Sequence, residues 1–277
     1  MKAFAELLDR LAYSPGRNSK LRLLQDYFRH TPDPDRGWTL AALTDGLPFS
    51  FPLRRILTEI VARRLDPYLY GLSRDYVGDT AETIALVWPE PEALVPLRLG
   101  DVIATLLDID RNRLGEQLEA WLDSLDANGR WALLKLLTGA PRVGVSARLA
   151  KTALASIAGT EIAEIEEVWH GLQPPYAALF AWIDGRAPKP DIRSLRTFRP
   201  LMLSHPLEDA DWEALDITDF SVEWKWDGIR VQVSSGEGET RLYSRTGDDI
   251  SGAFPDLMRP LPGEVVLDGE LLVVRDG

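Results

Sequence analysis

The sequence predicts two folds in series: an all-α amino-terminal domain, then the beginning of an antiparallel-sheet α+β domain. Two observations predict this. From residue 2 to about residue 183 the apolar residues recur every three or four positions, whereas after Pro200 they alternate with polar ones. The 277 residues are 45% hydrophobic and 27% charged, which is enough apolar material for two cores of ordinary size.

The helical half opens with "MKAFAELLDRLAY", where Phe4, Leu7, Leu8 and Leu11 form one apolar stripe broken by acidic residues. That pattern reads as an amphipathic helix rather than a signal peptide. The same spacing returns at Leu114, Leu118, Trp121, Leu122 and Leu125. Breaks are expected at "HTPDPDRG", "LDPY", "WPEPEALVP" and "QPPY", because proline lacks the amide a helix interior needs. Roughly eight to eleven helices are expected in this half. Trp121, Trp131, Trp169 and Trp182 stand at helical spacing from other apolar residues and read as core.

Past a Pro- and Arg-containing linker, Ile229, Val231 and Val233 alternate with Arg230, Gln232 and Ser234. "SSGEGE" then turns the chain into "TRLYSRT", and "EVVLDGELLVV" supplies a further strand. Domains are placed at 1–185 and 206–277, joined by a basic linker at 186–205. The second domain has few strands and "RDG" at its end reads as a turn opening, so the chain is expected to be the amino-terminal part of a longer protein.

With no Cys, thiolate metal sites, disulfides and a cysteine nucleophile are excluded, and a cytoplasmic protein fits best. No apolar run reaches transmembrane length. His30, His170 and His205 are too scattered in sequence for a metal site and read as surface or linker residues. The net charge of −12 taken alone opposes binding to a polyanion. Its distribution is uneven, however: Arg186, Lys189, Arg193, Arg196 and Arg199 stand in one stretch against Asp191 alone.

Two stretches carry candidate chemistry. In "SVEWKWDGIRVQV", Lys225 lies between Trp224 and Trp226, just before Asp227-Gly228. If a strand persists that far, Glu223, Lys225 and Asp227 project to one side, and the glycine begins a turn. Three readings are open: a lysine stem packed on aromatics, a salt-bridge partner, or an amine made nucleophilic by partial desolvation. Arg230 offers a planar fork suited to phosphate or ribose oxygens. Further on, Arg245 precedes a glycine in "SRTG", and Asp268 and Glu270 in "LDGEL" share one side of a strand opposite Leu267 and Leu271. In "GAPRVGVSARLAKTALA", Gly139 and Pro141 end one helix, Ser146 is a candidate N-cap, and Arg148 and Lys151 lie in the first turns of the next. The free amides and positive dipole end there suit a phosphate, and a solvated basic face is the bland alternative.

Taken in order, "EWKWDGIR", "SRTG" and "LDGEL" resemble three motifs of the covalent nucleotidyltransferases, and within them of the bacterial ATP-dependent DNA ligases. "DYVGDTAETIALVWP", "PRVGVSARLAKTALA" and "VWHGLQPPYAALFAWIDGRAPKP" are similar to the amino-terminal DNA-binding domain of that family, and "FRPLMLSHPL" to the segment leading into its adenylation domain. The resemblance implies that Lys225 attacks the α-phosphate of ATP to give a lysyl-AMP adduct, with Mg²⁺ neutralising the triphosphate. It implies Glu223 at the adenine, Arg230 and Glu270 at the ribose and neighbouring phosphate oxygens, and Arg245 at the ribose or the 5′-phosphate of a nick. Glu270 is also the candidate metal contact. Arg142, Ser146, Arg148 and Lys151 are implied contacts to the backbone of nicked double-stranded DNA, for which a single chain suffices. The family carries further motifs beyond "LDGEL", an adenine-stacking aromatic, an E-G motif, paired lysines and an OB-fold domain, and none is placed in this sequence. An impaired or inactive fragment is the expectation. The alternatives are an RNA ligase or capping-type enzyme, and a non-catalytic DNA-binding module with a degenerate nucleotide pocket.

Overall fold

The computed structural model describes residues 1–139, 141–192, 197–202 and 204–274. Its backbone contacts divide the chain into two compact units, the first made of Met1–Ile165 and Leu172–Pro190, the second of Glu166–Gly171 and Asp191–Gly277.

Among the described residues, twelve helices lie between Lys2 and Ile183, one beyond the upper end of the range expected from sequence. They are α1 (Lys2–Ala12), α2 (Arg17–His30), α3 (Asp35–Leu43), α4 (Leu53–Arg64), α5 (Pro67–Val77), α6 (Thr80–Val87), α7 (Leu99–Asp108), α8 (Leu114–Ser124), α9 (Ala127–Leu137), α10 (Ala147–Ala158), α11 (Ile162–Trp169) and α12 (Ala177–Ile183). Every proline-rich break named above falls between helices. The break between α5 and α6 contains no proline. There Gly78 takes a left-handed φ of 82° and the Asp79 carboxylate accepts the Glu82 amide, so one residue ends a helix and the next starts another.

In the first unit α9 packs on α1 and α6, while α10 lies against α2, α3 and α12. The stripes read from sequence are the buried ones: Phe4, Leu7, Leu8 and Leu11 on α1, and Leu114, Leu118, Trp121 and Leu122 on α8. Of the four tryptophans expected in the core only Trp121 is buried. Trp131, Trp169 and Trp182 are half-exposed, and Trp38 and Trp88 are buried instead.

Two buried guanidinium groups join distant segments. Arg130 on α9 is 1% exposed and donates to the carbonyls of Leu122 at 2.7 Å, Trp88 at 3.3 Å and Pro89 at 2.7 Å. Leu122 lies in the last turn of α8 and Trp88 ends α6, so one side chain satisfies carbonyls that two helices leave without amides. Arg36 on α3 pairs with Asp33 at 2.8 Å and with Asp184 at 2.6 Å, and stacks 4.3 Å from the Phe180 ring centroid. Burial works against its charge, and the two carboxylates more than offset this and hold its pKa above the usual value. Hydrogen bonds from Arg36 hold the Asp33 and Asp184 carboxyls below the usual range. Arg186 of the basic stretch belongs to the same network, contacting Asp184 and Asp33, and Lys189 pairs with Glu164 at 3.3 Å. Arg193 and Arg196 lie outside the described residues.

The second unit contains a short helix, α13 (Asp211–Ala214), and three antiparallel strands, β1 (Ile229–Gly236), β2 (Glu239–Ser244) and β3 (Val265–Leu271), in the order β2-β1-β3. Glu237 and Gly238 close the β1–β2 hairpin with φ of 46° and 83°, as a two-residue turn matched to strand twist requires. The strand expected before Asp227-Gly228 does not form, and residues 221–227 carry no regular structure. The reason is that β1 has no free edge: Val231–Gly236 pair with β2 on one side and Ile229–Ser235 with β3 on the other.

Two outcomes are expected. Replacing Arg130 by Met leaves three carbonyls without a donor and should lower stability by about 3 kcal/mol, read from the urea unfolding midpoint. Because the Asp33 and Asp184 pKa values are depressed on folding, their stabilisation is present above the unfolded value and lost as pH falls through the folded one. The melting temperature of Asp184→Asn should therefore lie below that of the wild type at neutral pH, with the gap closing below about pH 4.

Candidate functional site

The register of the sheet decides which side chains share a face. Arg230 faces Glu270 across the β1–β3 ladder and Gln232 faces Asp268, so all four lie on one side. Arg230 forms a two-pronged pair with Asp268, Nε at 3.1 Å and Nη2 at 2.6 Å, and Nη2 also donates to the Met202 carbonyl at 2.8 Å. The Asp268 carboxylate raises the Arg230 pKa. Gln232 is buried and clasps the backbone of Arg199, accepting from its amide at 2.7 Å and donating to its carbonyl at 3.0 Å. Residues 199–202 therefore run along the face that carries Arg230.

Gly228 is the second anchor. Its amide donates to Glu270 Oε1 at 3.0 Å, and a Cβ at this position would lie 2.4 Å from the Leu271 carbonyl oxygen and 2.7 Å from Leu272 Cδ2. Only glycine can pass this close to β3. The "KWDGIR" stretch is thus tied at Gly228 by Glu270 and at Arg230 by Asp268.

Lys225 lies three residues before the first of these ties, in a segment without regular structure. It is exposed, as are Glu223 and the flanking Trp224 and Trp226, at 83% and 62%. With both tryptophans this exposed, the aromatic enclosure that the sequence suggested for the amine does not form among the described residues. Of the residues singled out in sequence, the fold brings Arg230 and Glu270 together and leaves Glu223 and Lys225 on the adjoining segment.

Arg245 is exposed at the tip of the turn after β2. The turn is held by Ser244, Thr246 and Asp248, whose carboxylate accepts from both hydroxyls, and these hydrogen bonds lower the Asp248 pKa. Gly247 has a φ of 90°, and a Cβ there would lie 2.6 Å from His170 Cε1 and 2.9 Å from Phe198 Cδ1. The His170 ring meets Phe198 edge-on at 4.8 Å, so this histidine is a packing residue rather than a linker one.

In the first unit, Ser146 caps α10, its hydroxyl accepting the Leu149 amide at 3.2 Å. Arg142 and Arg148 are exposed, Lys151 is half-buried, and Arg142 adopts a left-handed φ of 55°. Sequence reasoning assigned no role to Asp268, the partner that orients Arg230, nor to Gln232. The alternation in "LDGEL" and "IRVQV" was the available signal for both.

Residues 201–277 match the family described as ATP dependent DNA ligase domain. The whole chain is similar, at 26% identity, to DNA ligase 1 of Korarchaeum cryptofilum, covering 54% of that protein. It is 30% identical over 81% of its length to a probable DNA ligase of Rhodococcus opacus, covering 48% of it, and 35% identical over 57% to one of Anaeromyxobacter dehalogenans, covering 32%. The chain thus spans about half or less of the length of these relatives. With Arg230, Glu270 and the Gly228 passage all inside the matched segment, residues 201–277 belong to the ATP-dependent DNA ligase domain family, and the chain as a whole is a relative of bacterial and archaeal DNA ligases.

Proposed function

We propose that this chain is the DNA-binding and adenylate-forming part of an ATP-dependent DNA ligase that seals nicks in duplex DNA. The observation that carries this reading is the convergence of Arg230, Glu270 and the glycine of "KWDG" on one end of the sheet, with Lys225 on the segment they anchor. Lys225 Nζ, once deprotonated, attacks the α-phosphorus of ATP. A P–N bond forms, the α–β P–O bond breaks, and pyrophosphate leaves with the electron pair. The AMP then passes to the 5′-phosphate of a nick, and the neighbouring 3′-hydroxyl displaces it. Arg230 holds ribose or phosphate oxygens, Glu223 reads the adenine, and Arg245 reaches ribose or the nick phosphate.

Mg²⁺ supplies charge neutralisation on the triphosphate. A cation of this kind is commonly held by one or two carboxylates together with substrate phosphates. Glu270, with one oxygen on the Gly228 amide, fits the role of a single protein ligand, and no cluster of three or more His, Asp or Glu side chains able to hold a metal ion occurs among the described residues. Contacts from Arg142, Ser146, Arg148 and Lys151 go to the DNA backbone, so binding follows nick geometry and salt rather than sequence. The exposure of Lys225 and the engagement of Arg230 by Asp268 favour a second reading, a DNA-binding module that forms no adenylate by itself. No helix among the described residues is long and apolar enough to cross a membrane.

Intact mass spectrometry after incubation with Mg²⁺ and either ATP or GTP separates the readings. One AMP is expected from ATP only, mapped to Lys225 and absent from Lys225→Ala. An adduct that persists in that variant overturns the assignment of the nucleophile, and no adduct from either nucleotide supports the second reading. Arg148→Ala combined with Lys151→Ala should weaken binding of a nicked duplex. The slope of log affinity against log salt should become shallower by about one for each phosphate that the protein no longer neutralises. An unchanged slope removes both residues from the interface.

A further inference from the structure

The loop between α9 and α10 is held from a distance by a lysine that nothing in the local sequence singles out. Lys20, near the start of α2, is half-buried and donates to the Val143 carbonyl at 2.6 Å and to the Gly144 carbonyl at 3.2 Å. These carbonyls lie 123 and 124 positions away in the chain. They turn toward α2 because the loop passes through left-handed backbone on either side of Val143, at Arg142 with φ 55° and at Gly144 with φ 67°. Glycine at 144 serves the contact as well as the bend, since a Cβ there would lie 2.3 Å from Lys20 Nζ. Val143 between them is only 4% exposed, so the loop has an inner side fixed by the ammonium and the core. Its outer side carries the exposed Arg142 and runs into Ser146, the cap of α10. The two helices concerned are packed together, and Gln25 on α2 donates to Ser156 on α10 at 2.8 Å, so Lys20 acts from a firm base.

We infer that Lys20 is a positioning residue for nucleic-acid binding: it clamps the Val143 and Gly144 carbonyls so that Arg142 and the start of α10 are presented together to the phosphate backbone of a duplex. This inference rests on the reading of Arg142 and its neighbours as DNA contacts. A compact ammonium suits the role because it can serve two carbonyls that converge on one point, which a broad guanidinium fork does less well. Without the clamp the loop is free to relax the left-handed bends, and Arg142 no longer keeps a fixed place relative to Arg148.

A double-substitution cycle on the 277-residue chain with a nicked duplex as probe tests this. Lys20→Met is expected to weaken binding by roughly 5-fold, and Arg142→Ala, harmful in the wild type, is then expected to add less than about 2-fold in the Lys20→Met background. Without DNA, amide hydrogen exchange at Val143–Val145 should speed up in Lys20→Met while the central turns of α2 and α10 keep their protection. Lys20→Gln, which drops the charge but keeps a donor, is expected to fall between the wild type and Lys20→Met, and the cycle is read in it if Lys20→Met does not fold. An Arg142→Ala effect of equal size in both backgrounds means that Lys20 contributes only its own charge, and overturns the proposal. So does unchanged exchange in the loop. If Arg142→Ala leaves binding by the wild type unaltered, the reading of this loop as a DNA contact fails first and the role of Lys20 falls with it.

Discussion

Pairing on both sides of β1 is the constraint from which the rest of the second unit follows. A strand with two neighbours has no unpaired ladder groups to offer, so the chain arriving at Gly228 cannot fold back as a hairpin and must approach the sheet from its end. The register then places Arg230 and Gln232 on the same side as Asp268 and Glu270. Because β3 lies so close to the entry point, the residue there can have no side chain, which accounts for the glycine of "KWDGIR" in terms of space rather than flexibility. Lys225 owes its place outside the sheet to the same circumstance.

In the first unit the long cationic side chains have a structural part that net charge conceals. Arg36, Arg130, Lys135 and Lys20 are engaged with carboxylates or carbonyls far away in sequence. Arg130 shows why this arrangement is stable. Three backbone carbonyls share one guanidinium, and those of Leu122 and Trp88 would otherwise be buried acceptors at the ends of helices without this donor. Arg186, counted from sequence as part of a basic linker, answers Asp33 and Asp184 and so adds less to the outward potential than its charge suggests. Such pairings leave the exposed Arg142 and Arg148 as more informative markers of an electrostatic surface than the sum of −12.

The legible parts of the fold were those written in local chemistry. Prolines announced several of the helix breaks, the stripe on α1 announced its buried face, and Ser146 announced the start of α10, because each effect acts within a turn of its own residue. The hairpin at Glu237-Gly238 was legible for the same reason. What could not be read depended on partners remote in the chain: Asp184 lies 148 positions from Arg36, and Val143 lies 123 from Lys20. The missing strand before Asp227 is the clearest case. Alternation of Glu223, Lys225 and Asp227 fits a strand locally, and only the occupation of both edges of β1 by later segments forbids it. In the candidate site, likewise, Arg230 and Glu270 stood out by type and order, while Asp268 acquires meaning only when the ladder sets it beside Arg230.

On the proposed reading of Arg230 as a contact to nucleotide oxygens, the Arg230–Asp268 pair bears on how the site both waits for a ligand and yields to it. The arginine is preset in direction by two carboxylate contacts and by the Met202 carbonyl, so little rotamer freedom remains to be given up when another oxygen replaces one of these. Exposed ion pairs contribute only about 0–1 kcal/mol, because water already screens them. Exchange of Asp268 for a phosphate or ribose oxygen therefore costs little, whereas a buried pair of the same geometry would resist it by several kcal/mol. The same openness of the sheet that leaves Lys225 hydrated thus keeps Arg230 exchangeable. A covering layer that dried the site would strengthen the attraction of Arg230 for an incoming anion and for Asp268 alike. If Arg230 takes the proposed role, which oxygen the guanidinium holds is decided by charge, and a polyphosphate carries more of it than a single carboxylate.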